Sequence, residues 1–298
     1  MNYFEVEPNA NPFKVIYVNA SNRCNMACHN CIIPNRTAPD LDHLKFESFL
    51  RQLPSRVEIR LFGGEPTLNP HLPEIIHSTR ELGHSCTLVT NGLKLADFSY
   101  CETLHKAGLR EVSFSMNGGT DRELYKKIDN LDCLDRKLQA VENAVKLRMR
   151  LRLGSILMKG HNDQVPKMLF ELAKKFDVPT TLNFRNVAQL GRYTLEKNEN
   201  FEFVEMVRHI CNQLGYDFEN AMKSNVINAL EQERIVLFSE REKTKLLGHK
   251  HDIWIKVTDW SPPGANIPDP DSNRRGRMTQ DFRIALFFEH IKKNENIY

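Results

Sequence analysis

The sequence predicts an α/β fold in which parallel strands are joined by crossover helices. Six short apolar runs of strand-like length alternate with longer amphipathic stretches over the first 190 residues or so, and breaker residues fall where the helices should stop. The runs are Val15–Asn19, Val57–Phe62, Cys86–Thr90, Glu111–Ser115, Leu151–Leu157 and Thr180–Arg185, and all but the first are rich in Val, Ile, Leu and Phe. Helices are expected between them, at about Phe46–Gln52, His71–Leu82, Asp97–Ala107, Leu134–Arg148 and Gln164–Phe176. Gly83, Gly108 and Pro179 mark helix ends. Six such units make either an open barrel or a doubly wound sheet, and in both the chemistry lies beyond the carboxyl ends of the strands.

The pattern changes after Gly191. Phe201–Leu214 reads as a helix and Ile253–Thr258 alternates like a strand. The stretch between them is polar and weakly patterned, and the proline-rich Ser261–Asp271 must be irregular. Phe282–Ile291 is apolar enough to dock on the body. The expected division is an N-terminal segment 1–12, a core 13–192, and a smaller C-terminal α+β extension 193–298 that covers the core.

Composition narrows the class. The 298 residues carry 41 basic and 38 acidic side chains, a net charge of +3 that gives no warrant for a nucleic-acid or membrane partner. No apolar run approaches a membrane span, and the opening residues lack the pattern of a secretion signal, so a cytoplasmic protein is expected. The seven cysteines are odd in number, and three lie within eight residues, unlike a secreted disulfide framework.

Those three, Cys24, Cys28 and Cys31, form a CX3CX2C triplet in the loop after the first strand. Seven extended residues span about 23 Å, so a loop that brings all three sulfurs to one centre must wrap around it. Thiolates are the ligands iron–sulfur clusters take, and three cysteines leave one iron of a four-iron cubane open. A zinc site completed by His29 or a distant cysteine is the alternative. A second motif, Gly63-Gly64-Glu65-Pro66, follows the second strand and faces the same end. Its paired glycines let backbone approach a ligand, and Glu65 offers a carboxylate to an ammonium group.

The triplet and this GGEP turn, with Thr90-Asn91-Gly92 after strand three, Ser115 ending strand four and Lys159-Gly160-His161-Asn162 after strand five, resemble the radical S-adenosylmethionine (SAM) superfamily over about residues 13–192. The segments are most similar to the branch with the molybdenum-cofactor cyclase and the peptide maturases. The resemblance implies a partial (β/α)6 TIM-like barrel with one [4Fe–4S] cluster on Cys24, Cys28 and Cys31. It implies that Gly63, Gly64, Glu65 and Pro66 form the turn holding the SAM amino group, with Thr90 and Asn91 also among the cofactor-binding residues. Ser115, partnered by Arg152, would contact the ribose or carboxylate end, and backbone near Val187–Gln189 the adenine. An electron donor such as a flavodoxin or ferredoxin is implied as well. Asn30, preceded by His29, stands where the family usually has an aromatic residue.

Cys86, Cys101 and Cys211 read as core residues, whereas Cys133 is a candidate hydrogen donor to a substrate radical. No cysteine follows Cys211, so the auxiliary-cluster ligands of many relatives are missing. That favours a small-molecule substrate over a peptide, with a non-enzymatic iron–sulfur or zinc protein as a third class. Arg274, Arg275 and Arg277 lie on what reads as a short basic loop, turned at Gly276, that could fold over the barrel mouth and clamp an anionic substrate group.

Overall fold

Side chains on a strand alternate between two faces, and this alternation shapes the molecule. The computed structural model describes residues 5–31, 33, 36–187, 199–224, 226–230, 233–239, 251–259 and 275–286. In chain order its first half runs β1 (Glu5–Val6), β2 (Val15–Ser21), α1 (His43–Arg51), β3 (Glu58–Gly63), α2 (Leu72–Glu81), β4 (Ser85–Thr90), α3 (Phe98–Lys106), β5 (Glu111–Ser115) and α4 (Arg122–Ile128). Then come α5 (Leu134–Lys146), β6 (Arg150–Ile156), α6 (Val165–Ala173), β7 (Thr180–Arg185), α7 (Phe203–Leu214), α8 (Phe218–Ser224), β8 (Val226–Leu230), β9 (Glu233–Ser239), β10 (Ile253–Thr258), β11 (Arg275–Met278) and β12 (Ile284–Leu286).

Local chemistry starts and stops the helices. Asp42, Asp97 and Asp121 each accept two backbone N–H groups at the heads of α1, α3 and α4. Gly215, in the left-handed region, ends α7. Apolar stripes such as Phe46, Phe49 and Leu50 on α1 and Leu72, Ile75 and Ile76 on α2 are buried, and with the outward strand residues Ile59, Leu61, Leu182 and Phe184 they belong to the main core.

The described strands form one open twelve-stranded sheet in the order β1-β12-β11-β2-β3-β4-β5-β6-β7-β10-β9-β8. The six expected strands are β2 to β7, parallel and in sequence order, as a partial barrel requires. The C-terminal segment adds one parallel strand at each edge: β10 beside β7 and β11 beside β2. Antiparallel β9 and β8 continue one edge, and β12 and β1 the other.

Three expectations are corrected. The polar stretch before His251 holds α8 and the β8–β9 pair, elements whose patterning was too weak to read. Helix α4 was also missed; its seven residues are too few to establish a helical period. Finally, the basic loop is strand β11. Gly276 does not turn it: a Cβ there would meet Phe13 at 2.5 Å and Ile284 at 2.6 Å, so glycine is required by close contact between layers. Among the described residues, no helix is long and apolar enough to cross a membrane.

Candidate active site

The loop from β2 to α1 carries the cysteines, and neighbouring loops fasten it. Asn91 Nδ2, after β4, donates to Asn25 Oδ1 at 2.7 Å, inside the triplet. His29 N donates to the carbonyl of Ile128 at 2.9 Å, the end of α4. Arg23 pairs with Asp40 and donates to the Leu68 carbonyl at 2.7 Å. Cys24, Cys28 and Cys31 all line one cavity at the carboxyl ends of the strands. Burial raises the Cys24 thiol above its ordinary value, and burial together with Asp129 pushes Cys28 far up. Such thiols release protons when a metal binds them. No three His, Cys, Asp or Glu side chains among the described residues converge as ligands of a single ion would. The three thiols stand on the wall of one cavity, and thiolates are the ligands iron–sulfur clusters take.

The GGEP turn is built into the same wall, though not as expected. Gly63 and Gly64 line the cavity, but their bare backbone first serves the cysteine loop. A Cβ on Gly63 would lie 2.2 Å from the Ser21 carbonyl oxygen, and one on Gly64 2.4 Å from those of Asn22 and Arg23. Gly64 N and Glu65 N donate to the carbonyls of Ser21 and Arg23 at 2.9 and 2.8 Å. Pro66 opens a buried 3-10 turn. Glu65 is wholly buried and does not face the cavity. Its carboxylate accepts from Thr67 N and Oγ1, Thr90 Oγ1 and Asn91 N, at 3.1, 2.7, 2.6 and 2.7 Å. Its visible work is therefore to lock the turn after β3 to the turn after β4, while Gly63 and Gly64 remain on the cavity wall.

The cavity continues from the cysteines down the barrel lumen and is open to solvent. Alternation decides its lining: Tyr17, Arg60, Thr87, Ser113, Asn183, Arg185 and Lys256 point inward from successive strands. The amino ends hold an ionic floor. Arg60 Nε donates to Glu58 at 2.7 Å and its Nη1 to Tyr17 Oη at 2.7 Å, while Arg152 pairs with Glu111 and, at 3.4 Å, Glu58. Burial alone would raise the Glu58 carboxyl, but its arginine partners hold it down at about 2. At the other end, fully buried Lys137 donates to the carbonyls of Asn91 and Ser115 at 3.1 and 2.7 Å and lies 3.4 Å from buried Asp129.

The expected residues thus separate. Thr90, Asn91 and Ser115 sit on the wall near the cysteines. Arg152 does not partner Ser115, which is in register with Gly154; it is held by the acidic residues of the floor. Val187 does not line the cavity: its side chain packs with Ile128 and Met158, and its N–H and C=O both bond Asn200. Residues 188 and 189 lie outside the described residues. Cys133 packs behind the cysteine loop with Met26, Cys24 and Cys28, not on the cavity wall. Arg275 lines the cavity, while buried Arg277 donates to Asn19 Oδ1 at 2.9 Å over the Phe62 ring; Arg274 lies outside the described residues. Buried Asn30 is on the cavity wall, and its Nδ2 finds no partner there. Sequence reading named Arg152 and Arg275 but missed Arg60, Arg185 and Lys256, which also line the lumen.

Fold and site together define a partial, open parallel α/β barrel whose mouth carries a three-cysteine loop. The family model described as Radical SAM superfamily matches residues 18–173, and the chain belongs to that superfamily, whose members use a [4Fe–4S] cluster and SAM. It is 30% identical over 185 residues to a 7,8-dihydro-6-hydroxymethylpterin dimethyltransferase of Methanocaldococcus jannaschii, covering 59% of this chain and 36% of the relative. It is 31% identical over 157 residues to a probable GTP 3′,8-cyclase of Pyrococcus abyssi, covering 51% of this chain and 50% of the relative. The chain thus spans half or less of the length of these two relatives. In fold it is similar to the crystal structure of SuiB of Streptococcus suis, with a TM-score of 0.64 and 16% identity over 96% of this chain and 63% of that one.

Proposed function

We propose that the chain is a radical SAM enzyme acting on an anionic small molecule. Cys24, Cys28 and Cys31 would hold the cluster, and the backbone of Gly63 and Gly64 would hold the methionine end of SAM, with Thr90, Asn91 and Ser115 on the surrounding wall. Bound there, cluster and SAM would supply a 5′-deoxyadenosyl radical that takes a hydrogen atom from the substrate. The protein's part is to orient and shield. Its eight consecutive parallel strands wrap the lumen, and the ionic floor of Glu58, Arg60, Glu111 and Arg152 closes the end away from the cysteines.

One observation carries the substrate class. Arg185, Lys256 and Arg275, from β7, β10 and β11, line the same cavity as the cysteines. Guanidinium groups suit a phosphate or carboxylate because they form paired, charge-assisted hydrogen bonds. Two of these three cations come from the C-terminal strands, so the extension contributes to binding in this reading. The test is a screen of anionic and neutral metabolite fractions for compounds that increase 5′-deoxyadenosine release by the reduced protein. Stimulation should come from the anionic fraction, and Arg185→Gln and Lys256→Gln should each raise the KM of the compound found about tenfold, the effect of about 1.4 kcal/mol. Stimulation by a neutral compound alone, or KM values that do not move, would reject the anionic substrate.

A further inference from the structure

No sequence motif points to Arg36. It follows the third cysteine by five residues and lines the cavity beside it. Its Nη2 donates to Cys31 Sγ at 3.3 Å, and its Nη1 to the carbonyl of Met26 at 2.5 Å. One guanidinium thus spans the loop from its middle to its last sulfur. A lysine could supply the charge but not the planar fork that meets both acceptors at once.

We propose that Arg36 is a positioning residue for the iron–sulfur cluster, holding the Cys31 sulfur and raising the reduction potential of the cluster bound there. The inference rests on the reading of Cys24, Cys28 and Cys31 as the cluster ligands. Reduction adds one negative charge to the cluster, and a cation that donates an N–H to a ligating sulfur stabilises the more negative form. Hydrogen bonds to sulfur and local charge are among the factors that set such potentials. A purely structural arginine would change cluster yield or loop stability without moving the potential of the cluster that does form.

The experiment is a potentiometric titration followed by electron paramagnetic resonance, on anaerobically reconstituted wild type, Arg36→Gln and Arg36→Lys, first without SAM. Iron and sulfide are measured before each titration. Arg36→Gln should be tenfold harder to reduce at a fixed potential, a fall of about 59 mV for a one-electron couple, and Arg36→Lys should lie between it and wild type. Equal potentials in all three proteins overturn the proposal, including the case in which Arg36→Gln changes only the affinity for SAM added afterwards. If Arg36→Gln assembles no cluster where wild type does, the holding role stands and Arg36→Lys carries the potential measurement. Wild-type protein that assembles no four-iron cluster overturns the ligand reading and the proposal with it, and iron analysis shows this before any titration begins.

Discussion

Glu65 is placed as a fastener between two loops. Its carboxylate collects four hydrogen bonds from Thr67, Thr90 and Asn91 with no exposure to solvent. Glu65→Ala would strand those buried donors, and hydrogen bonds to a charged group contribute about 1.5–3 kcal/mol. The cluster-free variant should therefore lose about 3 kcal/mol in urea unfolding, an effect a purely ligand-binding side chain would not give; an unchanged midpoint would contradict the fastening role. Glu58, on the floor, gives a pH signature. Burial alone would raise its pKa, but Arg60 and Arg152 hold it at about 2, below the ordinary carboxylate value of 4.5. A carboxyl depressed by folding contributes stability above its unfolded pKa, and that contribution is lost as pH falls through the folded one. Urea midpoints of the cluster-free protein should fall between about pH 4.5 and 2. Glu58→Gln should start lower at neutral pH and fall less over that window. Equal falls would mean that the floor does not hold its charge as described.

At the scale of elements, α5 and β11 are informative. Lys137 anchors the first turns of α5 to the ends of β4 and β5 and lies beside Asp129 at the end of α4, with both side chains essentially unexposed. Lys137→Met would leave the Asp129 charge buried, at a cost of about 3–5 kcal/mol. Adding Asp129→Asn should recover part of the loss; a double variant no more stable than the single one would argue against a charge pair. On β11, Gly276→Ala would push a Cβ into Phe13 and Ile284. Overpacking of this kind costs about 1–3 kcal/mol, and thermal unfolding would show it. These elements also mark the limit of what the sequence reveals. The parallel strands β2 to β7 were legible because apolar outward residues recur in runs of the right length. The cysteine loop was legible because its ligand spacing is local. Strand β11 was not, because Arg-Gly-Arg-Met has no strand-like composition and owes its conformation to pairing with β2 on one side and β12 on the other. The partners of Glu65 and Arg152 were illegible for a related reason: spacing puts a charged residue near a site, but only the fold shows which groups it meets.

The described strands form one open sheet, and the three cysteines line a cavity at the carboxyl ends of its parallel strands. The C-terminal segment adds a parallel strand at each edge of the six-stranded core, so Lys256 and Arg275 reach the lumen from opposite sides of the opening. That arrangement was beyond sequence reading, since it depends on contacts between residues more than 70 positions apart for β10 with β7 and more than 250 for β11 with β2. In the function proposed here, the barrel mouth holds a cluster on Cys24, Cys28 and Cys31 that cleaves SAM reductively. The most direct test is to reconstitute the protein anaerobically, reduce it with dithionite in the presence of SAM, and quantify 5′-deoxyadenosine and methionine together with bound iron. The account predicts about four irons per chain, equimolar formation of the two products, and loss of both the iron and the products when the three cysteines are replaced by alanine. A protein that binds one zinc, or that keeps its iron in the triple alanine variant, or that carries four irons yet leaves SAM intact under reduction, would contradict it.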